Sequence, residues 1–320
     1  MPCVVWGMRS GNVRINIPSV GRGESQSLGR LDRAVTAIAT TEDMCAAVGL
    51  DGQAVIWDLD TRTIIWSMPE VERMMDEDMP VKIDQAILAN SYLFLTGQGK
   101  IGRYNFRSFD PLAMIEGEQE VAHLEPDLST NSLLIHRIGD SHFSRYFFDT
   151  QTSTSYSVPS ASPISAIAVD FTSSTTISPF GSTTYVVTGS EDGSVYIHTW
   201  ASVTTPRCLQ SEGYKITSIA ITSLLIFVGC LSGQITAYDP LSLQVVRTLN
   251  ERSINRHALR ALVNGAVDER RWRVSSLVVD EECTSVLAAV GDRLFSYSVR
   301  EMGVSRNKSE LSPIQSEHKY

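Results

Sequence analysis

The chain has no long hydrophobic run, no paired cysteines and no stretch of one charge that could follow a phosphate backbone. Its longest apolar stretch, Leu224 to Cys230, is strand-sized, well below the roughly 20 apolar residues that a membrane span requires. The N-terminus lacks a charged-then-apolar signal segment. These absences predict a soluble intracellular protein, cytoplasmic or nuclear, with no membrane partner.

The five cysteines (Cys3, Cys45, Cys208, Cys230, Cys283) are odd in number, lie far apart and form no CxxC pair. That spacing argues against a zinc ribbon or redox motif and predicts free thiols in a reducing compartment. With 27 Lys plus Arg against 36 Asp plus Glu, the net charge is −9, which argues against a nucleic-acid partner.

The local signatures of catalysis are also missing: there is no GxSxG, HExxH or P-loop. His136 and His142 stand six apart, a spacing that suits neither a helical metal pair nor a supported strand ligand set. The expectation is a protein that is not an enzyme and holds no cofactor or metal.

What the sequence does have is a repeat. At 320 residues and 42% hydrophobic, length alone allows one large all-β domain or two ordinary ones. The recurring frame is an alternating apolar strand, a small-residue turn with Gly, then a second alternating strand ending in an aromatic residue.

The frame is complete from Val35: Val35–Ala39, Met44–Gly49, the turn Leu50-Asp51-Gly52, Ala54–Asp58 and Thr63–Trp66 predict four antiparallel strands. It recurs over Ile83–Ile115, Ile164–Leu209 and Ile216–Leu249, with Gly99, Asp192-Gly193 and Gly233 in the turns. A degenerate copy spans Val274–Val299, and an N-terminal half copy, Val4–Ile15, offers only the middle hairpin.

Turn anchors thus fall at 11, 52, 99, 193, 233 and 292, and the double gap between 99 and 193 must hide one more copy. Leu133–His136, Ser144–Asp149 and Thr154–Val158 fill it, with Phe148-Asp149 set against Trp57-Asp58.

On these residues the chain resembles the WD-repeat family: Asp51-Gly52 with Trp57-Asp58, Glu191-Asp192-Gly193-Ser194-Val195, and Tyr238-Asp239 follow its hairpin over roughly residues 3 to 302. The Gly-His dipeptide that often opens a family repeat is missing, and a single copy ends in Trp-Asp. The resemblance implies an all-β WD-repeat β-propeller over residues 1–302, of seven blades with an incomplete N-terminal one, or of six blades plus an extra hairpin. Residues 303–320 are expected to be a disordered tail.

The opening hairpin Val5–Val13 and the block from Glu269 to Tyr297 also look like the propeller part of fungal F-box proteins with WD repeats. That likeness implies a protein–protein interaction platform, a monomer within a complex. It would be the substrate-recognition propeller of a ubiquitin-ligase adaptor lacking its F-box, with ligase subunits and a substrate as partners. The alternative is a structural scaffold subunit of a larger intracellular complex.

Insertions at Gly21–Arg33, Glu70–Met79 and Asn250–Arg271 are expected to leave the ring at its rims, and Phe171–Thr184 to form a long hairpin loop. A short surface helix is expected over Ala258–Val263, before Gly265. Arg252, Arg256, Arg260, Arg270 and Arg271, with Arg273, gather there and suit capture of phosphate or carboxylate, or simply form a solvated basic loop. They are the candidate partner-binding residues. Trp57 is expected to pack between blades.

Overall fold

The computed structural model describes residues 3–17, 25–70, 73–76, 79–108, 113–169, 171, 184–211, 213–222, 225–249, 272–279 and 285–298. These form strands and turns, with no α-helix among the described residues. The chain divides into two compact units, residues 1–128 with 135–138, and residues 129–134 with 139–320.

The first sheet has three strands, β1 (Val4–Gly7), β2 (Asn12–Asn16) and β3 (Gln26–Arg30). The second has four, β4 (Val35–Thr40), β5 (Met44–Gly49), β6 (Ala54–Asp58) and β7 (Ile64–Ser67). A two-stranded hairpin, β8 (Met75–Asp76) and β9 (Met79–Pro80), precedes the third sheet, β10 (Gln85–Ala89), β11 (Tyr92–Gly97), β12 (Lys100–Asn105) and β13 (Ala113–Ile115).

The fourth sheet runs β14 (Val121–Asp127), β15 (Ser132–Arg137), β16 (His142–Phe147) and β17 (Thr152–Ser157), and the division between the units falls within it. The fifth is β18 (Ile164–Val169), β19 (Tyr185–Ser190), β20 (Val195–Thr199) and β21 (Arg207–Gln210). The sixth is β22 (Ile216–Ile221), β23 (Ile226–Cys230), β24 (Ile235–Tyr238) and β25 (Val245–Leu249). The seventh has three strands, β26 (Val274–Val279), β27 (Ser285–Val290) and β28 (Arg293–Ser298).

Every sheet keeps its strands in chain order, and one hairpin of each is closed by a glycine in the left-handed region. These are Gly11, Gly52, Gly99, Gly139, Gly193, Gly233 and Gly291, with φ from 61° to 84°. A Cβ is disfavoured at such φ, so the turn selects glycine and sets the register of the flanking strands. Gly139 is the anchor that the doubled gap between 99 and 193 had hidden.

Apolar residues fill the space between consecutive sheets within each unit. Trp57, Val13, Ile15 and Leu31 pack between the first and second sheets, and Ile56, Val81, Leu93 and Tyr104 between the second and third. In the second unit, Val187, Ile216 and Val228 join the fifth sheet to the sixth, and Phe227, Val274 and Val286 join the sixth to the seventh.

A polar seam accompanies this packing. The second residue of β4, β18, β22 and β26 is Thr36, Ser165, Thr217 and Ser275, and each sits at a β-bulge. Each hydroxyl lies 3.2 to 3.4 Å from a carbonyl oxygen of the neighbouring strand in its own sheet: Val48, Gly189, Gly229 and Ala289. Two also reach the next sheet: Ser165 Oγ lies 2.6 Å from the Ile216 carbonyl oxygen, and Thr217 Oγ1 2.7 Å from that of Val274.

The same seam demands close approach of backbone to side chain. A Cβ on Gly189 would stand 2.4 Å from Ile216 Cγ2, and one on Gly229 2.5 Å from Val274 Cγ1. Gly229→Ala is therefore expected to cost about 2 kcal/mol through overpacking against a β-branched side chain that has few rotamers to retreat into. A urea midpoint equal to that of the parent chain would refute this reading of the contact.

Several expectations need correction. The N-terminal copy is more than a hairpin, because β3 pairs with β2 inside the stretch expected to be the Gly21–Arg33 insertion. β14 adds a fourth strand to the hidden copy. Phe148-Asp149 does not occupy the place of Trp57-Asp58: it lies in the turn after β16, matching Leu59-Asp60. The turns share a left-handed residue, Arg62 or Gln151, and a Thr–Thr hydroxyl pair, 61 with 63 or 150 with 152.

The acidic Glu70–Met79 stretch is not wholly a rim loop either. Met74 is buried with Val81 and Ile83 in the core of the second and third sheets. The expected helix at Ala258–Val263, most of the loop between Phe171 and Thr184, and the tail 303–320 lie outside the described residues.

Candidate functional site

Arg252, Arg256, Arg260, Arg270 and Arg271 lie outside the described residues. Arg273 is described; its carbonyl accepts the Gly291 amide at 3.1 Å, tying the start of β26 to the last glycine turn. The sites that can be built belong to turns, sheet faces and sheet edges.

The strand-ending Asp or Asn organises the turns. Asp58 Oδ1 accepts the amides of Asp60 and Thr61 and the Thr61 hydroxyl at 2.7 to 3.0 Å, and Asp239 accepts the Leu241 amide and the Ser242 hydroxyl. Asn105 does the same for the amides of Arg107 and Ser108. The backbone amide bond, from Thr61 or Leu241, is the first cause that holds each carboxyl below its usual pKa. The Asp of the repeat is thus a turn cap, which fixes the loop that follows.

One such turn borders a polar hollow of about 380 Å³, lined by Thr41, Glu42, Asp43, Met44, Asn90, Ser91 and Arg107. Thr41 caps the β4–β5 turn, its hydroxyl bonding Asp43 Oδ1 at 2.8 Å and accepting the Met44 amide at 3.1 Å. With two carboxylates and one guanidinium, the hollow suits a charged side chain of a polypeptide rather than an apolar ligand.

An apolar surface lies on the seventh sheet. Val278 and Leu287 are direct cross-strand partners, and Leu294 pairs with Ala289 on the same face. Val278, Leu287 and Leu294 are 56%, 41% and 69% exposed, so this face is open, while Val286, Ala288 and Val290 bury the other. Contiguous exposed apolar residues of this kind mark protein contact surfaces.

The buried polar groups are concentrated in the second unit. Arg145 is 7% exposed and bonds Thr130 Oγ1 at 2.8 Å, Ser132 Oγ at 3.1 Å and the Trp200 carbonyl at 3.0 Å. Its guanidinium sits 4.6 Å from the ring centres of both Phe147 and Trp200. Trp200, Tyr156 and Phe143 continue as a stack, and His198 meets Phe143 edge-on at 5.0 Å.

His198 Nε2 lies 3.0 Å from Thr188 Oγ1, and burial pushes its pKa down to about 4. In the first unit, burial and then the charge of His136 bring His123 to about 4 as well. His142 is half exposed, 3.7 Å from Asp140 Oδ2. No group of three or more potential metal ligands occurs among the described residues.

Trp57 and Trp200 are buried, and Trp66 is tilted against Tyr104 at 6.2 Å, so these indoles serve packing. The Arg145 cluster was not anticipated; no periodic signal distinguishes a buried arginine in an alternating strand from a solvent-facing one. The hydroxyl seam did have a signal, since Val35-Thr36, Ile164-Ser165, Ile216-Thr217 and Val274-Ser275 recur in the same place.

No family model matches the chain, and a search of curated proteins gives no match. Among solved structures the chain is similar to the computationally designed Ika8 protein, with a TM-score of 0.65 and 16% identity, over 93% of this chain and 80% of that one. At that identity the likeness speaks for the fold alone. The chain is an all-β protein of repeated antiparallel sheets, an arrangement consistent with a β-propeller.

Proposed function

We propose that this chain is a seven-bladed propeller of the WD-repeat type and serves as a non-catalytic platform for protein partners. The observation that carries the reading is the recurrence of one frame in seven sheets, each with its strands in chain order and a left-handed glycine in the same hairpin. Such sheets hold their turns rigidly, through caps such as Asp58 and Asp239, so docking a partner costs little ordering entropy. The open apolar face around Leu287 and the charged hollow beside Arg107 supply contact chemistry.

The resemblance to fungal F-box proteins extends the proposal to recognition of substrates for a ubiquitin ligase. Affinity capture from a lysate of the source organism, with Leu287→Asp and Leu294→Asp variants in parallel, tests both levels. A stoichiometric assembly that the variants lose supports the platform. Ligase subunits in that assembly support the adaptor role, whereas a stable assembly without them favours a scaffold. Failure to retain any partner overturns the platform reading.

A further inference from the structure

The glycine hairpins of the first, second, fifth and sixth sheets are built alike. Gly11, Gly52, Gly193 and Gly233 each donate an amide, at 3.0 to 3.1 Å, to the carbonyl three residues back: Met8, Gly49, Ser190 and Cys230. This makes β1 the counterpart of β5, β19 and β23. Those strands carry a further strand on their other side, β4, β18 and β22, and β27 likewise carries β26. β1 stands at the edge of its sheet, with Val4 59% and Met8 39% exposed.

Among the described residues, no strand takes up the bonding groups on the outer side of β1. Met8 donates its amide to the Asn12 carbonyl, and the register pairs Trp6 with Arg14 and Val4 with Asn16. By antiparallel alternation, Trp6 and Val4 also turn their amides toward β2, which leaves those of Val5 and Gly7 on the open side. Unpaired edge groups of this kind accept an added strand.

We propose that the free edge of β1 receives an extended strand from a partner protein, with the pattern β-branched, hydroxyl, any residue, aliphatic. The pattern is that of four of the six equivalent strands, Val35-Thr36-Ala37-Ile38, Ile164-Ser165-Ala166-Ile167, Ile216-Thr217-Ser218-Ile219 and Val274-Ser275-Ser276-Leu277; β10 and β14 lack the hydroxyl. Their shared register sets the expected one. The first residue lies opposite Met8, the hydroxyl residue forms the bulge, the third faces Gly7 and the fourth faces Trp6.

Among the described residues, no strand of the chain pairs with the outer side of β1. Beyond the four strands and their overlaps, the pattern recurs at Thr183-Thr184-Tyr185-Val186 and Thr284-Ser285-Val286-Leu287, which share residues with β19 and β27, and at Thr222-Ser223-Leu224-Leu225, between β22 and β23 in sequence; Ile177-Ser178 and Val304-Ser305 break it at Phe180 and Asn307. The proposal rests on the platform reading and gives it one docking site with a stated ligand chemistry.

The test uses the full chain and a fluorescent synthetic peptide of residues 214–223, followed by anisotropy. Saturable binding is expected. N-methylation of the peptide amides that face β1 should weaken it at least tenfold, and methylation of the alternate set should leave it unchanged. Val5→Pro, which removes one open-edge amide, should weaken it at least tenfold; the methylated peptides decide the matter if that variant does not fold. A photo-crosslinker at the peptide's fourth pattern residue should label Val5 to Gly7.

Absence of saturable binding, indifference to methylation, or crosslinks confined to other edges such as β7 or β25 would each overturn the proposal. So would a chain that pairs β1 with a second copy of itself and excludes the peptide. Peptide failure alongside successful partner capture would remove this docking site and leave the platform standing.

Discussion

Replacement of Arg145 by alanine is expected to lower the unfolding free energy by about 4 kcal/mol, as a drop in urea midpoint at unchanged slope. The guanidinium holds three oxygen acceptors on two sheets, Thr130 Oγ1, Ser132 Oγ and the Trp200 carbonyl, and it lies against two aromatic rings. Charged hydrogen bonds at a buried site contribute about 1.5 to 3 kcal/mol each before the cost of desolvation is subtracted, and each ring contact adds about 1 kcal/mol. The Trp200 carbonyl stays satisfied in the variant because the Tyr156 hydroxyl also donates to it, at 2.7 Å. The two hydroxyls likewise keep each other as partners, at 2.8 Å, so most of the loss comes from the charged hydrogen bonds themselves and from the space left between Phe147 and Trp200.

Arg145→Lys separates charge from geometry. Lysine keeps the cation, but it cannot fork to three acceptors while stacking between two rings, so a loss of about half the alanine value is expected. If Arg145→Ala unfolds at the parental midpoint, the cluster contributes nothing to stability and the account of it is wrong.

A large acid sensitivity should reside in His198. This side chain is 2% exposed and packed against Phe143, so the neutral form is favoured and its pKa falls from 6.5 to about 4. With a depressed folded-state pKa, the native chain binds fewer protons than the unfolded one between these limits. The stability it contributes is complete above pH 6.5, falls as pH drops toward 4, and levels off below. At 1.36 kcal/mol per pKa unit, the loss across the window is about 3 kcal/mol.

His198→Phe removes this titration, and the fall in urea midpoint between pH 7 and pH 4.5 should shrink by about half. His123, whose pKa is similarly low, accounts for what remains. An unaltered acid limb in the variant would show that His198 is solvated in the native state.

Much of the fold was legible because strand periodicity and glycine turns are local signals. The bounds of β5 and β6 follow directly from Met44–Gly49 and Ala54–Asp58, since apolar runs and the Asp51-Gly52 turn leave little freedom. β3 and β14 were missed for a physical reason: Gln26–Arg30 and Val121–Asp127 are polar outer or first strands whose partners, rather than their own residues, make them strands. The candidate sites were less legible. The open face of β26–β28 depends on which neighbour covers a sheet, and the hollow beside Arg107 on two turns far apart in sequence coming together.

The hydroxyl seam also bears on how such a chain can change in length. Donor and acceptor are the same atoms of the same positions in successive copies: Ser165 addresses Ile216, and Thr217 addresses Val274. Duplicating or excising the sixth sheet would leave each surviving member of this pair facing an equivalent carbonyl: without that sheet, Ser165 would meet the Val274 carbonyl that Thr217 now addresses. A segment of one sheet is therefore expected to be gained or lost at this point without redesign of the seam.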